Sequence, residues 1–181
     1  MIRESMIHWR GTDRIIRKAY EQAAGGKVDD AVAILRESSR ESDPDGRYTE
    51  AIGMILYQAG RWSEAAECLL RALQIKPGDA QRMFYYASAS SRAGEWEKAL
   101  RILEEEAHQD TSSVAPIATK CLILLERGET AAAREAYKHA QLRFNSHHKQ
   151  DAYAMGLLEQ CAESLSQAKN ETATQPQPNP G

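Results

Sequence analysis

His139, His147 and His148 could ligate a metal, and Asp43-Pro44-Asp45-Gly46 opens like a calcium loop. Neither pattern is complete. The adjacent His147 and His148 point in different directions on a helix, and no Cys or carboxylate completes a set at ligand spacing, so no metal site is expected. The acidic turn lacks the further oxygen ligands and closing glutamate of a calcium loop; it reads as a turn with a helix-capping aspartate. Glu104-Glu105-Glu106 could meet a basic partner, but at the end of a helix it reads as a solvated face. Cys68, Cys121 and Cys161 are odd in number and far apart, without C-x-x-C, and read as reduced, packed thiols. The chain has no glycine-rich phosphate loop, nucleophile elbow or Cys/His pairing, so neither catalysis nor a cofactor is expected.

The bulk properties point the same way. The 181 residues are 42% hydrophobic with a net charge of −3, and the sequence pI is near 6.0. That balance gives no basic stripe of the kind nucleic-acid binding needs. No run is long enough to cross a bilayer, and the first residues lack the apolar stretch of a secretory signal, so a soluble, cytoplasmic protein is expected.

The elements that must position any site are written in a repeat. Ala59-Gly60-Arg61-Trp62-Ser63-Glu64-Ala65 and Ala93-Gly94-Glu95-Trp96-Glu97-Lys98-Ala99 are nearly the same heptapeptide, 34 residues apart. The step extends to Gly26 and Gly128. Five residues after each glycine stands an alanine (Ala31, Ala65, Ala99, Ala133), and four further on a large side chain (Leu35, Leu69, Leu103, Tyr137). Seven before each glycine stands a small residue (Ala19, Gly53, Ala87, Cys121). Between the Gly and Pro interruptions nearly everything is helix-forming, and no alternating strand pattern occurs. Each repeat therefore predicts an all-α helical hairpin. Its glycine closes the first helix in the left-handed conformation, and its small residues allow close approach.

This register gives an N-terminal leader at 1–11, repeats at 12–45, 46–79, 80–113 and 114–147, an unpaired capping helix at 148–168, and a polar, proline-spaced tail at 169–181 expected to be disordered. Asp79, after Lys76-Pro77-Gly78, is expected to end a second helix. Val28, Trp62 and Trp96, with Thr130 in the last repeat, are expected at the starts of the second helices.

These residues resemble the tetratricopeptide repeat, whose unit has the same period and a W-x₂-L-G-x₂-Y…A-x₃-F…P pattern. The second repeat matches best, with Ile52-Gly53, Leu56, Ala65-x₃-Leu69, Ala72 and Pro77. No repeat has the first tryptophan, whose places hold Ile15, Thr49, Met83 and Ile117. The resemblance implies a right-handed α-solenoid of antiparallel helix pairs, with first helices lining a concave groove that binds proteins. One subset of the family holds acidic chaperone C-termini with a clamp of lysines, an arginine and asparagines. Here the matching places hold Ile16, Tyr20, Ala51, Gln81 and Tyr85, which argues against that ligand.

Reading the i, i+4, i+7 stripes of the first helices gives a candidate groove of Ile16, Tyr20, Met54, Tyr57, Phe84, Tyr85, Leu122 and Leu125, with Glu50, Arg92 and Glu126 setting a partner's orientation. The expected function is a non-catalytic adaptor or scaffold that binds a peptide or helix of another protein. Two alternatives stand beside it: self-assembly through the leader, with its Ile2, Met6, Ile7 and Trp9, and a secretion-type cargo chaperone.

Overall fold

A computed structural model of the protein describes residues 14–146 and 152–174, with side chains through residue 168. The described residues are helical and fall into two compact units, one ending at Glu95 and the other beginning at Trp96. The expected leader, His147, His148 and residues 175–181 lie outside the described residues.

The first unit contains α1 (Arg14–Ala24), α2 (Val28–Glu41), α3 (Arg47–Gln58), α4 (Trp62–Ile75) and α5 (Ala80–Arg92). The second contains α6 (Trp96–Gln109), α7 (Ala115–Glu126), α8 (Thr130–Ser146) and α9 (Ala152–Thr174). Val28, Trp62, Trp96 and Thr130 each open a helix, as the repeat phase requires.

The four turns share one geometry. At Gly60 (φ 75°) the amide donates to Tyr57 O, and the next amide, of Arg61, reaches back to Leu56 O at 2.9 Å. Glu95 to Ser90 O (2.8 Å), Glu129 to Leu124 O (2.9 Å) and Lys27 to Gln22 O (3.0 Å) repeat that backward bond. Two otherwise orphaned carbonyls at each helix end are thereby satisfied, at a backbone conformation that glycine alone adopts without strain.

In the first unit α3 lies between α2 and α4 and also touches α1 and α5. It is buried from Thr49 to Leu56, wider than a single stripe, because it has neighbours on several sides. The phase alanines Ala31 and Ala65 and the leucines Leu35 and Leu69 are fully buried. Gly53 is where α3 and α4 come closest: a Cβ there would sit 2.7 Å from Leu69 Cγ and 3.3 Å from Ala65 O.

Asp79 does not end α4, which stops at Ile75; its carboxylate caps α5, accepting from the amides of Gln81 and Arg82 at 3.1 Å each. Pro77 breaks the helix, and Asp79 starts the next one. Asp43 accepts from the amides of Tyr48 (3.0 Å) and Thr49 (2.9 Å), which puts the acidic turn to work on the start of α3.

In the second unit α7 is the central helix. Ala115, Pro116, Ala118, Thr119 and Cys121 to Leu124 are buried, and α6, α8 and α9 pack on it. Pro116 falls in the first turn, where its missing N–H is not needed. Arg143 of α8 donates to Ala107 O and Ser113 O, both at 3.1 Å, tying the end of α6 to the loop before α7. α9 packs on α7 and α8 through Ala154, Leu157, Leu158, Cys161 and Leu165. It continues to Thr174, past the end expected at 168.

Candidate functional site

Aromatic and cationic side chains gather at one place in the first unit. Tyr57 comes from the last turn of α3, Trp62 from the first turn of α4, and Phe84, Tyr85, Ser88 and Arg92 from successive turns of α5. The i, i+4 spacing of Phe84, Ser88 and Arg92 puts those three on one helical face. Tyr57 meets Trp62 edge-on at 5.1 Å between centroids and Tyr85 at 5.4 Å, and Tyr85 meets Phe84 at 5.4 Å. The Tyr57 and Ser88 hydroxyls are hydrogen-bonded at 2.9 Å. The Arg92 guanidinium lies 5.1 Å from the centre of the Trp62 ring and 5.8 Å from that of Tyr57.

Edge-to-face rings and a cation over them fix these side chains in place, so the cluster offers a preorganised surface. Tyr57, Trp62, Phe84 and Tyr85 are half-buried, leaving apolar ring area open to a partner. Burial, helped by Glu50 and Tyr85, pushes the Tyr20 phenol far above its ordinary range; burial and Tyr57 also push Tyr85 up. Both phenols stay neutral at physiological pH.

The sequence-predicted groove residues divide. Tyr57, Phe84, Tyr85 and Arg92 come together, with Tyr20 within electrostatic reach of Tyr85 and Glu50. Ile16 and Met54 are 5% exposed and Leu122 is 6% exposed, so their side chains serve the packing of their own units. Glu50 is also buried, at 8%, where its carboxylate accepts from Arg82 Nε at 2.6 Å. Arg82 donates in addition to Ala72 O at 3.2 Å. Glu50 therefore holds α3 to α5 within the unit. Leu125 and Glu126 belong to the second unit, where Leu125 is half-buried and Glu126 exposed.

Trp62 and Ser88 are the members absent from that set. Ser88 lies on the Phe84 stripe, but a serine carries no anchoring signal by itself. The repeat phase places Trp62 at the start of a second helix. The same phase supplies its signal, since Trp96 stacks under Arg127 at 3.3 Å in the second unit just as Trp62 meets Arg92 in the first. In both units a tryptophan opening one helix takes an arginine from the end of the following helix.

The second unit has a cavity of about 440 Å³ between α6, α7 and α8, lined by apolar groups including Leu100, Ile117 and Leu124. Glu104 at its edge pairs with Lys120 at 2.6 Å. Among the described residues no group of three His, Cys, Asp or Glu is placed to hold a metal, and no helix is long and apolar enough to cross a membrane.

Comparison with known proteins gives matches to part of the chain. Residues 16–80 match the tetratricopeptide repeat family. Tetratricopeptide repeat protein 30 homologs of Drosophila pseudoobscura pseudoobscura and Drosophila melanogaster are 36% identical over 59 residues, which is 33% of this chain. The chain spans only 9% of the length of those relatives. Among solved structures, a crystal structure of MamA protein aligns with TM-score 0.56 at 15% identity, covering 92% of this chain and 96% of that one. MamA from Desulfovibrio magneticus RS-1 aligns with TM-score 0.54 at 15% identity, covering 91% and 99%. At such identities the likeness is one of fold. Residues 16–80 thus match tetratricopeptide repeats, and the positive-φ glycines Gly94 and Gly128 continue the same helix-pair pattern beyond that match.

Proposed function

We propose that the protein is a non-catalytic adaptor that binds a peptide or helical segment of another protein on the aromatic cluster of its first unit. Tetratricopeptide architecture supports protein interaction in general. The observation that carries the finer reading is the set of half-buried rings of Tyr57, Phe84 and Tyr85 joined to the stacked Arg92. Rings already locked by their neighbours lose little freedom on binding, so burying them favours association. Arg92 places a positive charge against the rings, which favours a partner with an acidic group beside its apolar anchor. Leu125 and Glu126 extend the reading to the second unit as a separate contact.

Affinity capture from the native host tests this, with wild type beside a folded Phe84→Ser/Tyr85→Ser variant. A protein retained by the wild type and lost from the variant is the expected result. Equal recovery by both would remove the cluster from the account.

A further inference from the structure

Cys121 and Cys161 are 40 residues apart in the sequence and lie on the packed helices α7 and α9 of the second unit. Both are free and fully buried, one on α7 and the other on α9. The Cys161 thiol lies 3.3 Å from Ala118 O, which places its sulfur against α7 one turn before Cys121. The two thiols are close enough to perturb each other's ionisation. No other covalent-capable pair of this kind exists among the described residues, since Cys68 lies on α4 in the first unit.

We propose that Cys121 and Cys161 form a reversible disulfide that latches α9 onto α7 when the protein meets a small-molecule disulfide oxidant. The chemistry is thiol–disulfide exchange. Cys121 gives its proton to water and its thiolate attacks one sulfur of the oxidant, forming a mixed disulfide and expelling a thiolate. Cys161 then gives its proton to the thiolate expelled in the first step, and its sulfur attacks the Cys121 sulfur, closing the protein disulfide and expelling the second small thiolate, which takes up the proton left in water. The protein gives up two electrons and two protons, and the oxidant becomes two thiols.

Three features favour this order of events. The neighbouring Cys161 holds the Cys121 thiol below its ordinary range, while Cys121 and burial push Cys161 up, so Cys121 is the better first nucleophile. The resolving sulfur already lies against α7 one turn from Cys121, so the mixed disulfide is short-lived. Both sulfurs are closed to solvent, so reaction requires α9 to lift from α7 by local opening. Once closed, the bond fixes α9 where only packing held it before.

The test uses the full chain with Cys68→Ser, so that the half-buried third thiol does not intervene, exposed to oxidised glutathione and followed by intact mass. The expected result is a loss of two hydrogens without a lasting glutathione adduct, reversed by dithiothreitol. Peptide mapping should join Cys121 to Cys161, and amide exchange in α9 should slow by about tenfold or more. A Cys68→Ser/Cys161→Ser chain with unchanged helix content should instead keep the adduct. An unchanged mass, a lasting adduct on Cys121 beside an intact Cys161, a disulfide-linked dimer, or closure without slower exchange in α9 would each overturn the latch.

Discussion

Replacing Gly53 by alanine sets two physical effects against each other at the closest approach of α3 and α4. Helix propensity alone favours alanine over an interior glycine by about 1 kcal/mol. Packing opposes it. The new methyl would stand 2.7 Å from Leu69 Cγ, 3.1 Å from Leu69 Cδ2 and 3.3 Å from Ala65 O. Leu69 is fully buried, and the nearest atom is its branch point rather than a flexible end, so it has no room to retreat. Overpacking of this kind costs about 1–3 kcal/mol. With the upper half of that range offset by the propensity gain, Gly53→Ala should destabilise the first unit by a net ~1–2 kcal/mol. Urea unfolding read by Trp62 fluorescence measures this, in a chain whose other tryptophans, Trp9 and Trp96, are replaced by Phe. Leu69→Ala alone should cost ~2–5 kcal/mol, and in that background Gly53→Ala should become neutral or stabilising. A gain of about 1 kcal/mol from Gly53→Ala in the intact protein would refute the close-approach argument and leave propensity as the only effect at work.

The remaining predictions concern side chains that fix the units. Asp79→Ala removes the acceptor for the Gln81 and Arg82 amides and should cost ~0.5–2 kcal/mol by urea unfolding, whereas a residue that merely ended α4 would tolerate it. Arg82→Met leaves the Glu50 carboxylate buried without its partner and should cost ~3–5 kcal/mol; adding Glu50→Leu should recover most of that loss in the same assay. Burial raises the Glu50 pKa against the opposing pull of Arg82, so the folded state binds this proton more tightly than the unfolded chain does. Its contribution is therefore greatest below the unfolded glutamate value of about 4.3 and declines as pH rises through the folded one; Glu50→Gln should remove that slope from stability measured against pH. Arg127→Met should lower the stability of the second unit by ~0.5–1 kcal/mol, seen with Trp96 as the sole reporting tryptophan.

The sequence made the turns legible because their physics is local. A glycine that must take positive φ, an alanine that must pass close to a neighbouring helix and a tryptophan at the head of a helix are each written at one position. Gly26, Gly60, Gly94 and Gly128 carry φ of 82°, 75°, 84° and 76°. Asp79, expected to end a helix, starts one instead: after Pro77 and Gly78 its carboxylate reaches forward to the Gln81 and Arg82 amides. The groove was harder to read. A stripe at i, i+4, i+7 gives the direction a residue faces, but α3 has neighbours on so many sides that Met54 and Glu50 face protein. The Glu50–Arg82 pair and the contact of Cys161 with α7 depend on helix-to-helix distances that no local spacing encodes.

Photo-cross-linking in the native host tests the central claim most directly, with a benzophenone amino acid placed at Phe84 in one chain and at Arg71, exposed on α4, in another. The aromatic-cluster account predicts a discrete protein partner cross-linked from position 84 and absent from position 71, lost when Tyr85→Ser is added. Cross-links to the same partner from position 71 alone, or from position 84 with no effect of Tyr85→Ser, would contradict it.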